Sequence, residues 1–208
     1  MPDPLEIFRR LGVMHPGAKA ELNYTTPYEL LIATVLSAQC TDVRVNLITE
    51  ELFRRVRTPE DMLALSRSEL EEIIRTCGMY KQKARALQEA AQELVDRFDS
   101  EVPSDRAALE SLRGVGRKTA SVVLSNAFGI PAIAVDTHVG RVARRLGLTE
   151  LKDPDKVAGV LEELFPPDCW TELHHRLIFH GRYLCKARNP DCERCLLEDI
   201  CPKIGVRK

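Results

Sequence analysis

Apolar positions recur along the chain at helical spacing. Ala84, Leu87, Ala91, Leu94 and Phe98 fall on one face of a helix running from about Lys81 to Phe98. Trp170, Leu173, Leu177 and Ile178 share a face near the end. Tyr28 to Leu36 is nearly continuously apolar, the pattern of a buried helix. Polar residues punctuate these runs. Thr58-Pro59-Glu60-Asp61 and Ser66-Arg67-Ser68-Glu69 each place a hydroxyl N-cap three residues before an acid, a helix-start signal. Pro103-Ser104-Asp105 opens another helix, and Asp153-Pro154 a further one with Pro at the first helical position. Ile130 to Val135 is the one stretch with a strand-like look, and Pro131 inside it argues against a central strand. The pattern predicts an all-α protein. There is no low-complexity segment, obvious linker or strong internal repeat.

Composition adjusts this picture little. The 208 residues suit one large domain or two small ones. Hydrophobic residues at 44% and charged residues at 29% are ordinary for a globular chain, and the 5% of aromatics favours helix over sheet. The net charge of −1 gives no bulk basicity to attract nucleic acid. Locally, Val102 to Glu150 carries seven basic and four acidic residues, and Thr171 to Lys208 eight and five, whereas Glu50 to Glu72 is acid-rich. A solvated surface of mixed charge accounts equally well for these excesses. No basic-then-apolar leader opens the chain, and no apolar run is long enough to span a membrane. The expected location is the cytoplasm, where thiols stay reduced.

Four of the seven cysteines lie within 17 residues, as Cys185-x6-Cys192-x2-Cys195-x5-Cys201. Thiolates ligate both zinc and iron–sulfur clusters. Zinc sites usually pair two short Cys-x2–4-Cys arms. A single short arm flanked by wider ones favours a [4Fe-4S] cluster over zinc, although zinc stays open. Cys40, Cys77 and Cys169 are isolated and read as buried small apolar residues.

Leu112-Arg113-Gly114-Val115-Gly116-Arg117-Lys118-Thr119-Ala120 lies between two helical patterns. Its glycines permit positive φ and expose backbone N–H groups at a helix N-terminus, where a phosphate oxygen fits. The pattern is that of a helix-hairpin-helix, which grips the DNA backbone without reading bases. A plain αα-hairpin shares Gly-x-Gly, and Arg117 and Lys118 tilt the balance. Lys118 falls in the first turn of the second helix, where the dipole and Arg117 both favour its neutral, nucleophilic amine; a simple phosphate contact suits it too. Eighteen residues on, Asp136 stands before the helix carrying Val139, Val142, Ala143 and Leu146. It reads as an N-cap, and an ionised capping carboxylate can also stabilise positive charge or act as a base.

In this order, Leu36-Ser37-Ala38-Gln39 with Thr41-Asp42, Cys77-Gly78-Met79-Tyr80, the glycine hairpin with Lys118, Val135-Asp136-Thr137-His138 and the four cysteines resemble the endonuclease III family. These are bifunctional DNA glycosylases and abasic-site lyases. The resemblance spans nearly the whole chain and implies two helical domains flanking a DNA-binding cleft. Residues 21–130 would form a six-helix barrel carrying the hairpin, and 1–20 with 131–208 the cluster domain. Lys118 is implied as nucleophile, Asp136 as catalytic carboxylate, and Cys185, Cys192, Cys195 and Cys201 as cluster ligands. Implied DNA contacts are Gln39, Met79, Arg113, Gly114, Val115, Gly116, Arg117, His138 and Lys186, with Gln39 filling the gap left by a flipped base. The implied substrates are oxidised pyrimidines such as thymine glycol in double-stranded DNA, and abasic sites. The protein is expected to act as a monomer, nucleoid-associated if bacterial, with the cluster structural: Arg182, Lys186, Arg188 and Arg194 in or beside its loop would be folded against DNA.

Two positions depart from the family pattern. Met79 stands where Leu is common, and Arg113 where Pro is common; the latter exchanges a fixed φ for a possible phosphate contact. Two rivals share features of the chain. A mismatch adenine glycosylase acts without a lysine nucleophile and usually has a further C-terminal domain, whereas here Lys118 is present and seven residues follow Cys201. A non-catalytic DNA-binding or redox-sensing protein would not need both Lys118 and Asp136.

Overall fold

The computed structural model describes residues 2–206, and every regular element among them is helical. The chain divides into two compact units: Glu21–Ile130, and Met1–Ala20 together with Pro131–Lys208.

The continuous unit holds α2 (Pro27–Leu36), α3 (Asp42–Leu52), α4 (Pro59–Ala64), α5 (Arg67–Ile73), α6 (Tyr80–Arg97), α7 (Arg106–Glu110) and α8 (Arg117–Ala127). That makes seven helical segments where the family resemblance implies six; the shortest, α7, is a five-residue segment with its own cap, Asp105 Oδ1 accepting from Ala108 N at 2.8 Å. α2 is the central rod, with Tyr28 through Leu36 all buried, and it packs on α3, α6 and α8. Even Glu29 is inside. Its carboxylate accepts from Thr25 N and Oγ1 at 2.6 and 2.7 Å and pairs with Arg57 at 2.8 Å, which satisfies its charge. The two start signals form reciprocal capping boxes, Thr58 with Asp61 and Ser66 with Glu69. α6 buries Ala84, Leu87, Ala91 and Leu94 as the spacing predicts, and also Lys83.

The second unit joins α1 (Pro4–Met14) to α9 (Thr137–Arg145), α10 (Pro154–Leu164), α11 (Trp170–Phe179) and a π-helical turn, His180–Leu184. Residues 130–135 run without strand pairing, in keeping with Pro131. Ile7 and Leu11 of α1 enter a core with Val139, Val142, Leu161, Leu173 and Leu177. α1 packs against α11, where Gly12 lets the Arg176 guanidinium approach: a Cβ there would lie 3.0 Å from it. α1 also touches the cysteine loop, through Arg10 Nη1 to Asp199 at 2.5 Å and to Leu196 O at 2.8 Å. Asp153 caps α10 through Oδ1, 3.0 Å from both Asp155 N and Lys156 N.

Candidate functional site

In the continuous unit, α7 and α8 are joined by the turn 111–116. Gly114 has φ 80°, and a Cβ there would meet Ala86 Cβ on α6 at 2.8 Å, so both conformation and space demand glycine. Gly116 differs from expectation. It is extended, φ −101° and ψ 179°, because it is the N-cap of α8, and N-caps take β-region backbone. No atom lies within 4 Å of its ideal Cβ. Gly116 therefore contributes bareness: no side chain caps α8, and its first N–H groups lack intrahelical partners. Lys118, second residue of α8, is exposed. Val115 is buried and pins the turn. Arg113 is held rather than free: Glu93 accepts from its backbone N at 2.8 Å, and Glu89 pairs with its guanidinium at 3.2 Å. Those contacts define the turn without the proline.

Two further expected residues sit on turns of the same unit. Gln39, after α2, has φ 54°; Met79, the N-cap of α6, has φ 57°. Both are exposed. The cysteines here correct the apolar reading. Cys77 is buried but polar in its bonding: Sγ donates to Leu36 O at 3.2 Å and accepts from Lys83 Nζ at 2.9 Å. Cys40, like Cys169 in the other unit, is only half-buried. Burial pushes the Cys40 thiol up, and neighbouring Cys77 adds to it.

In the second unit, Asp136 caps α9. Its Oδ1 accepts from His138 N and Val139 N, both at 2.8 Å. Asp136 is half-buried, so the carboxylate is fixed by the cap and still reachable. His138 is half-buried beside it, with Nδ1 3.3 Å from Arg141 Nη2.

Cys185, Cys192, Cys195 and Cys201 line one pocket, together with Arg145 and His180. Among the described residues, no three His, Cys, Asp or Glu side chains converge as a single-ion site. Four thiols around a shared space suit a multinuclear cluster better than one zinc. Sequence reasoning missed what shapes this loop. Arg145, almost fully buried, donates through Nη1 to Lys186 O at 2.7 Å and through Nη2 to Ala187 O at 3.0 Å. Arg141 Nη2 donates to Gly181 O at 2.7 Å. The readable signal was two arginines interleaved with the apolar face of α9. Burial pushes the Cys195 thiol up to about 11 and Cys201 upward as well, so loading the loop must displace protons. Lys186 is exposed on the loop.

With this geometry in view, the comparisons with known proteins agree. Residues 32–167 match the model of the HhH-GPD superfamily base excision DNA repair proteins, and residues 185–201 match the iron–sulfur binding domain of endonuclease III. The chain is 48% identical to the endonuclease III of Bacillus subtilis over 92% of its own length and 88% of that protein's. With the Escherichia coli K12 endonuclease III the figures are 47%, 95% and 93%. A trapped endonuclease III–DNA covalent intermediate superposes with a TM-score of 0.94 at 47% identity, covering 98% of this chain and 97% of that one. These matches define a helix-hairpin-helix base excision repair enzyme that binds DNA. Within that class the chain belongs to the endonuclease III family, the DNA glycosylases and abasic-site lyases that carry a [4Fe-4S] cluster. Among the described residues no helix is long and apolar enough to cross a membrane.

Proposed function

We propose that the protein removes oxidised or ring-saturated pyrimidines, thymine glycol being the type case, from double-stranded DNA and then nicks the strand. The single observation that carries this reading is the exposed Lys118 amine in the first turn of α8, directly after the uncapped Gly116. Backbone N–H groups at that terminus hold a phosphate while the lysine stands beside it.

The lesion nucleotide is turned out of the stack. Lys118 Nζ attacks the sugar C1′ atom; the C1′–N bond breaks and the base leaves with a proton. The ring opens to a Schiff base between Nζ and C1′. That cation acidifies the C2′ proton, whose loss expels the 3′ phosphate by β-elimination. Asp136, fixed by its own cap bonds, stabilises the positive charge and moves the proton from Nζ. Gln39 fills the gap left by the base and Met79 is the wedge. Arg113, Gly114, Val115, Gly116, Arg117, His138 and Lys186 supply backbone contacts. The [4Fe-4S] cluster is held by Cys185, Cys192, Cys195 and Cys201. It folds the basic loop, and the four residues named as ligands lie apart in sequence from those assigned the chemistry. The enzyme works as a monomer, and on nucleoid DNA if the cell is bacterial.

The test is release of the base from a duplex carrying one thymine glycol, against an undamaged control. Release from the lesion strand alone is expected. Absence of release, with abasic-site nicking intact, would overturn the substrate assignment and leave the lyase.

A further inference from the structure

Gln39 and Met79 share a backbone conformation that L side chains enter against steric resistance, with φ 54° and 57°. Strained residues of this kind persist where surrounding contacts hold them. One side chain reaches both turns. Lys83 lies a turn into α6 and is 5% exposed. Its Nζ donates to Ala38 O at 2.6 Å, Leu36 O at 2.9 Å and Cys77 Sγ at 2.9 Å. Its backbone N donates to Met79 O at 3.0 Å. Lys83 thus bonds the residue before Gln39, Met79 itself, and the residue two before Met79. The turns are close enough for this: an added Cβ on Gly78 would lie 3.4 Å from Gln39 O.

The chemistry of the acceptors fits. Leu36 and Ala38 present carbonyls at the C-terminal end of α2, beyond the reach of further helix N–H groups and at the negative end of the dipole. A lysine head has three donors, and all three are spent inside the protein. Such a lysine is not available to a phosphate.

We propose that Lys83 is a positioning residue for base excision: it staples the turn of Gln39 to the turn of Met79 and so fixes the two side chains that enter the duplex. This rests on the assignment of Gln39 and Met79 given above.

The test is a double-mutant cycle. Single-turnover excision of thymine glycol is measured on the cluster-loaded enzyme. Lys83→Met is introduced into the native chain and into a Gln39→Ala, Met79→Ala background. A loss of tenfold or more is expected in the native chain and of less than twofold in the background, because the staple then has nothing to position. Lys83→Gln, which keeps donors, should fall between Lys83→Met and the native chain. It also takes the place of Lys83→Met in the cycle if that variant does not fold. A merely structural lysine would cost the same factor in both backgrounds, and that result, or no loss in the native chain, overturns the proposal alone. A Gln39→Ala, Met79→Ala enzyme excising at the native rate overturns the assignment beneath it and the proposal together.

Discussion

The guanidinium of Arg145 meets Cys185 twice: Nη1 lies 3.2 Å from its carbonyl oxygen and 3.3 Å from its sulfur. In return, Cys201 Sγ donates to Arg145 O at 3.4 Å. One residue of α9 thereby touches the first and last cysteines of the loop. Arg145→Met removes its bonds to the part-buried carbonyls of Lys186 and Ala187, while Cys185 O keeps Arg141, a cost of about 1–3 kcal/mol. The expected outcome is a lower melting temperature and faster bleaching of the visible cluster absorption, with the cysteines unchanged. A variant as stable and as deeply coloured as the native protein would show that the loop holds itself.

Asp136 caps α9, and the proposed mechanism gives it a second role that substitution can separate from the first. Asn retains an oxygen for the cap and loses the charge; Ala loses both. Asp136→Asn should melt within about 1 kcal/mol of native yet excise about 10²–10⁴-fold more slowly. Asp136→Ala should add about 1 kcal/mol of destabilisation. Comparable excision by Asp136→Asn and the native enzyme would confine Asp136 to capping.

The two hairpin glycines should fail differently. Gly114→Ala forces a side chain into φ 80° and against Ala86, a cost of about 1–3 kcal/mol, read as a fall in melting temperature. Gly116→Ala meets nothing and keeps an extended backbone. It should melt within about 1 kcal/mol of native but bind duplex DNA more weakly and with a shallower salt dependence, because the Cβ would stand where the proposed phosphate contact is made. Equal binding by Gly116→Ala would remove the phosphate from that terminus.

Burial lowers His175 to about 4. The unfolded chain then takes up a proton that the folded chain refuses as pH falls below the ordinary histidine value near 6.5. The associated stability is present above that value and is lost as pH drops toward 4. Between pH 7 and pH 5 this amounts to about 2 kcal/mol. Urea titrations should show that loss in the native protein, and an acid limb flatter by that amount in His175→Gln. Identical limbs would place the acid sensitivity elsewhere.

Much of this was legible in the chain because the signals are local. Capping boxes at Thr58 and Ser66, the apolar faces of α6 and α11, the αL demand at Gly114 and the run of four cysteines each depend on residues a few positions apart. What the sequence hid depends on distant partners. Lys83 stands at i, i+4, i+7 and i+11 with Leu87, Ala90 and Leu94 on the apolar face of α6, a place where a charge needs acceptors. Those acceptors are carbonyls of Leu36 and Ala38, more than forty residues earlier. Arg145 is alike: its partners lie 40 to 42 residues onward. Gly116 was misread for a different reason, since Gly-x-Gly does not tell a residue that needs positive φ from one that needs only to lack a side chain.

Lys118 is the proposed nucleophile. Borohydride reduction of the native enzyme on a duplex with one thymine glycol should trap a protein–DNA adduct, and peptide mapping should place the bond on Lys118. Lys118→Ala, exposed on the first turn of α8, should fold within about 0.5 kcal/mol of native and give no adduct. An adduct of native yield from Lys118→Ala, or a bond mapped to another residue, would contradict the mechanism.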